Sequence, residues 1–179
     1  RVLSLGEDGL LRMNPPEEIE RLRYNGQKLT NQSVPADAEL PLEGIGGNSL
    51  EVGVEINAPD AKQFGVKVCC SPDGEEETLV YYDAVAKQLS VDTNKSSLTE
   101  GPKSIEAGPL ELKAGEPLKL RILVDKSVVE VFANDGRQAV MRRIYPSRTD
   151  SVGVKLFSNG GPATATALEA WEMMPSNPY

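Results

Sequence analysis

Three carboxylates lie close together in the segment KLRILVDKSVVEVFANDGRQAV, which runs from Lys119 to Val140: Asp125, Glu130 and Asp135. A glycosidase works with two carboxylates, one a general acid and the other a nucleophile or base. They stand about 5 to 9.5 Å apart across one pocket, with one of them kept protonated. The surrounding pattern gives each residue a structural reading as well. Asp125-Lys126-Ser127 separates two apolar alternating runs, and Asp and Ser are turn residues that bond the local backbone. Glu130 falls between Val129 and Val131 and so lies on the face opposite to them. Asp135-Gly136 fits a type I′ hairpin turn, which needs positive φ at both central residues. Two carboxylates at strand ends and one in mid-strand make a poor acid–nucleophile pair, so the structural reading is the stronger. The sequence names no catalytic residue, no substrate-binding residue and no metal ligand.

Other reactive groups are few. The chain has no histidine, which removes Ser-His-Asp and Cys-His schemes and the commonest zinc ligand. Cys69 and Cys70 are its only cysteines. A bond between neighbours would close a strained ring and staple no loop. On a strand they point to opposite faces, so one is expected in the core and one at the surface. Tyr81 and Tyr82 carry the same expectation. Trp171, the only tryptophan, is a candidate for stacking on a sugar, although a buried strand position is the commoner role. Arg142-Arg143 offers one outward arginine to a cross-strand glutamate or to a neighbouring domain. Asp73-Gly74-Glu75-Glu76-Glu77 reads as a solvated acidic turn, since a Ca²⁺ site needs more converging oxygens. Asn31-Gln32-Ser33 and Asn94-Lys95-Ser96 match the asparagine glycosylation pattern, which is common by chance. No cofactor is expected.

The elements that must position these residues are mostly strands. Leu50, Val52, Val54 and Ile56 alternate with Glu51, Gly53 and Glu55, and similar alternation recurs at Phe64–Cys70, Leu118–Val124 and Val152–Leu156. Ser71-Pro72-Asp73-Gly74 is a turn in which Pro presets one φ and Gly supplies the positive one. Some ten to twelve short strands with regular turn signals predict an all-β fold, a two-sheet antiparallel β-sandwich of jelly-roll or lectin-like type. One short N-terminal helix is expected, with Asn14 as N-cap, Pro15 and Pro16 in the first turn, and an end near Tyr24-Asn25-Gly26. Glu100 to Glu116 is the most loop-like stretch. Residues 1–26 read as an inter-domain linker carrying that helix, and 27–179 as the sandwich domain.

A chain of 179 residues suits one domain that buries roughly 70% of its unfolded surface. A net charge of −8 argues against nucleic acid or an anionic membrane as partner, because both need clustered Lys and Arg. No apolar run approaches the roughly 20 residues of a membrane span. Arg1 stands where an initiator Met is expected, so the chain reads as a fragment, and its missing leader leaves the compartment open.

The segment LRILVDKSVVEVFANDGRQAVMRRIYP resembles the signature of the C-terminal β-sandwich domain of glycoside hydrolase family 32, the invertases, levanases, inulinases and other β-fructosidases. The resemblance continues through FGVKVCCSPDGEEETLVYYDAVAKQLSVDTNKSS and SVGVKLFSNGGPATATALEAWEM. The opening RVLSLGEDGLLRMNPPEEIERLR resembles the segment leading out of the family's catalytic β-propeller. The family's catalytic motifs are an Asn-Asp-Pro-Asn stretch, an Arg-Asp-Pro stretch and a Glu-Cys pair. None is present: Gly136 follows Asn134-Asp135, Thr149 separates Arg148 from Asp150, and no Glu precedes Cys69. The resemblance therefore implies a non-catalytic accessory module of a retaining β-fructosidase, inactive alone. Its partners would be the N-terminal propeller of the parent chain and, further, a second copy or fructan. A fructan-binding module is the alternative, weakened by an aromatic content of 5%. An independent carboxylate glycosidase is a third reading, disfavoured by the turn positions of Asp125 and Asp135. The family has both cytoplasmic and secreted members.

Overall fold

The apolar alternation becomes fourteen strands in the computed structural model, which describes residues 1–176. Strands β1 (Val2–Leu5) and β2 (Leu11–Asn14) form a separate hairpin. A 3₁₀ segment (Glu17–Leu22) leads into β3 (Arg23–Val34), β4 (Ala38–Gly46), β5 (Ser49–Asn57), β6 (Gln63–Cys70) and β7 (Thr78–Asp83). Then follow β8 (Gln88–Asp92), β9 (Ile105–Pro109), β10 (Leu118–Asp125), β11 (Val128–Ala133), β12 (Gln138–Arg143), β13 (Gly153–Asn159) and β14 (Ala163–Met173). The first sheet has the order β12-β11-β10-β5-β14-β3 and the second β4-β13-β6-β7-β8-β9. Neighbours pair antiparallel throughout. The molecule is the expected two-sheet sandwich. The loop-like stretch 100–116 contributes β9 as the edge of the second sheet.

One face of each sheet supplies the core. Val52, Ile122, Val129, Val131 and Leu168 come from the first sheet, and Val66, Val80, Leu89, Val91 and Leu156 from the second. Period-2 alternation explains this division. The tight turns follow local chemistry. After β11, Asp135 and Gly136 hold φ of 58° and 78°, and the Arg137 N–H donates to the Asn134 carbonyl at 3.3 Å. This is the expected type I′ turn.

The N-terminal helix differs from the expectation. It is a 3₁₀ segment of six residues flanked by Pro16 and Arg23, without a side-chain cap. Ile19 and Leu22 are three apart, the spacing at which side chains eclipse in a 3₁₀ turn. Asn14 is the last residue of β2, and its Nδ2 donates to the Asp135 carbonyl at 3.2 Å. Gly26 lies inside β3 rather than at a helix end. It leaves room for the Trp171 indole, whose Nε1 would stand 2.8 Å from any Cβ there.

Both cysteines and both tyrosines are buried, contrary to the division between core and surface. Cys69 takes φ of 52° where β6 gains a residue against β13, and this bulge upsets the simple alternation. Burial, the largest effect, pushes both thiols up to about 12, so they behave as small apolar groups. Tyr82 meets Phe64 edge-on at 5.8 Å within the core. Tyr81 is on the outer face, edge-on to Phe157 at 6.2 Å. The two rings close over Gly65, which pairs with both residues.

Truncation at the centre should be costly. Leu156→Ala, at a position 1% exposed, is expected to lose about 2–5 kcal/mol. The shift in urea midpoint at constant slope measures it.

Candidate functional site

The three carboxylates do not share one pocket. Asp125 is the last residue of β10 and Glu130 sits in mid-β11. The register pairs Asp125 with Val128, so Asp125 and Glu130 are diagonal neighbours on the outer face of the first sheet. Asp135 is in the turn beyond the other end of β11, which itself ends roughly 10 Å from Glu130. Glu130 accepts from Arg1 Nε at 2.5 Å. The groove beside Asp125 is lined by Ile19, Leu22, Leu123 and Met173 and does not reach Glu130.

What gathers on this face is a docked N-terminal segment. The Met13 N–H donates to the Gly136 carbonyl at 3.0 Å, beside the Asn14 bond to the same turn. The Arg1 guanidinium lies 5.9 Å from the Phe132 ring. The 3₁₀ segment is tied down by Glu20, which pairs with Arg23 at 3.1 Å and Arg121 at 3.4 Å. Beneath it Glu51, fully buried, accepts from Arg23 at 2.9 and 2.6 Å and from Arg121 Nε at 2.6 Å. Arg23 also stacks on Trp171 at 4.2 Å from the ring centroid. Trp171 is thus held between Arg23 and Gly26, and Arg23 occupies the ring face that a sugar would need.

The hairpin turns an apolar surface outward. Val2, Leu3, Leu5, Leu10 and Leu11 are 50–75% exposed. The register puts Leu3, Leu5 and Leu11 on one face of the hairpin and Val2 on the other. Arg142 bonds to Ser104 Oγ at 2.6 Å and pairs with Glu106 at 3.4 Å. It thereby closes the sandwich edge between β12 and the β9 side, and Arg143 is left exposed.

The acidic run after β6 is only half a solvated turn. Asp73 and Glu75 are outside with Arg148, whereas Glu76 and Glu77 are buried. Glu77 pairs with buried Lys67 at 2.8 Å. Glu76 accepts from Ser147 Oγ, Ser151 Oγ and the backbone N–H groups of Leu98, Ser147 and Arg148. Burial alone would push its carboxyl up, but the bonds from Ser147, Ser151 and Leu98 outweigh burial and hold it near 2. Sequence reasoning missed Glu51 and Glu76. The usable signal was a Glu flanked by Leu50 and Val52 on a central strand, where an outward acid needs a partner.

The family model described as Glycosyl hydrolases family 32 C terminal matches residues 18–172. A levanase of Bacillus subtilis (strain 168) is 35% identical over 155 residues, covering 82% of this chain and 22% of its own length. A levanase of Bacillus sp. (strain L7) is 32% identical over 170 residues, covering 91% and 18%. The exo-inulinase from Aspergillus awamori superposes with a TM-score of 0.77 at 25% identity, over 96% of this chain and 34% of that one. Fructan 1-exohydrolase IIa from Cichorium intybus gives 0.86 over 98% and 40%, and its 20% identity makes this a likeness of fold alone. The chain spans about a fifth of the two levanases. In both solved relatives the matched region is part of a longer chain.

Two outcomes test the buried acids. The Glu76 value is lowered from 4.5 to about 2, so its contribution is present above pH 4.5 and is lost as pH falls toward 2. Glu76→Gln should be less stable by roughly 3 kcal/mol at neutral pH, and the gap should close in acid. Urea melts across pH measure it. Glu51→Ala leaves two arginines facing each other at a buried site and should cost roughly 3–5 kcal/mol. Proteolysis should then release the N-terminal segment before the sandwich unfolds.

Proposed function

This chain belongs to the glycosyl hydrolase family 32 C-terminal family, and from that premise we propose that it is the non-catalytic accessory module of a β-fructosidase. Residues 1–26 serve as the connection and 27–179 as the module. The observation that carries the reading is the N-terminal hairpin. Its aliphatic side chains face outward at the end of the chain where a preceding catalytic propeller would attach. Burying Leu3, Leu5 and Leu11, which share one face of the hairpin, would remove apolar surface from water at about 25 cal/mol per Å². The chemistry would reside in the propeller, where an Asp forms a fructosyl-enzyme and a Glu turns from acid to base to resolve it. The levanase relatives support a β-linked fructoside as the substrate class of the parent enzyme.

Hydrolysis of sucrose, inulin and levan should appear only when the chain is extended upstream, and not with the chain alone. Activity in the chain alone would overturn the module reading, and Asp125 and Glu130 would become the first residues to change. The hairpin makes a separate claim. Leu5→Glu with Leu11→Glu should reduce concentration-dependent self-association of the chain in sedimentation. In the extended protein the same pair should lower the unfolding temperature.

A further inference from the structure

We propose that a loop cleft at the end of the sandwich away from the hairpin turn binds a neutral oligosaccharide. The cleft encloses about 390 Å³ and is formed by Asn48, Lys126, Ser127, Tyr145 and Thr149 over a floor of Ile144 and Cys69. This is within the usual volume range of small-ligand pockets. Lys126 and Ser127 form the turn between β10 and β11, whereas the hairpin is bound at the 134–137 turn, at the opposite end of β11. The inference goes beyond the packing role and does not depend on it.

The chemistry of the lining selects the ligand. Tyr145 is 55% exposed, the most exposed aromatic side chain among the described residues. The other described aromatics are packed inside or on the sheets, or, like Tyr24, hydrogen-bonded to a carboxylate. A ring standing free at a cleft mouth offers an apolar plate with a polar tip, which suits the C–H face of a sugar. Around it the side chains of Asn48, Ser127 and Thr149 make no internal hydrogen bond among the described residues, nor does the Lys126 ammonium. They are therefore available to hydroxyl groups. The charge balance disfavours an anion. Arg148, at the edge of the cleft, is already engaged by Asp73, Glu75 and Asp150, which leaves Lys126 as the one unpaired cation among the described lining residues.

The site is also built in advance. Buried Glu76 fixes the loop after Tyr145 through Ser147, Arg148 and Ser151. The Ile144 N–H donates to the Ser127 carbonyl at 2.9 Å, and the Lys126 N–H to the Asn48 carbonyl at 2.6 Å. Three loops are thereby held together before any ligand arrives, which lowers the ordering cost of binding. This gives the carbohydrate-binding expectation a location away from Trp171, Tyr81 and Tyr82.

The test is a ¹H–¹⁵N titration of the chain with four probes: inulin-type and levan-type fructo-oligosaccharides, cello-oligosaccharides and inorganic phosphate. Shifts confined to residues 47–48, 126–127 and 144–149 with a sugar, and absent at the Trp171 indole, are expected. Tyr145→Ala should weaken binding at least tenfold with the spectrum otherwise unchanged, since the ring is exposed. Lys126→Gln should leave the sugar affinity within a factor of about three. No shifts from any sugar up to about 10 mM, shifts from phosphate alone, or undiminished binding by Tyr145→Ala would each overturn the proposal. Which sugar binds best reports the linkage the cleft accepts.

Discussion

Glu51 is the interaction on which the rest of the first sheet's outer face depends. A carboxylate at the middle of a central strand, fully out of water, is tolerable only if its charge is matched. Arg23 and Arg121 match it from opposite sides, one from the start of β3 and one from β10. Because Arg23 follows directly on the 3₁₀ segment, the same ion pairs fix where the N-terminal segment crosses the sheet. Glu20 then reaches both arginines, Ile19 and Leu22 lie along the groove beside Leu123, and the hairpin is set over Phe132. The pairs hold position more than they add stability, since a well-packed apolar substitute often does as well energetically.

Glu76 plays the corresponding part at one end of the sandwich. It has no cation as its main partner; hydroxyl and backbone N–H donors from two loops converge on it instead. Loops at a strand end have backbone donors that the sheet cannot satisfy, and one buried carboxylate takes several of them. The outcome is a rigid rim where a flexible one would be the default.

Much of this was legible in the sequence because its local signals agree with one another. The alternation in β5, β6, β10 and β13 and the Asp135-Gly136 turn gave strands, faces and hairpin as found. What failed did so where one residue's role is set by a distant partner. Asn14 has the chemistry of a helix cap but spends its amide on the 134–137 turn, which is far away in sequence. Cys69 and Cys70 alternate on paper, yet a bulge against β13 buries both. Glu76 looked like part of a solvated acidic run because the serines that surround it come more than seventy residues later. Trp171 read as a possible sugar platform until β3 brought Arg23 onto its face.

The hairpin face and the loop cleft are surfaces of different kinds. The hairpin is bonded to the sheet through the Met13 backbone, the Asn14 amide and Arg1, so its outward leucines make no directed contact and suit a permanent, close-packed neighbour. The loop cleft is small and pre-set, with an apolar floor, polar side chains at its rim and one free ring, which suits a ligand that comes and goes. A single sandwich can hold both because its sheet pairing separates them along β11. What fixes the hairpin through Glu51 and the 134–137 turn leaves the loops around Tyr145, which rest on Glu76, untouched.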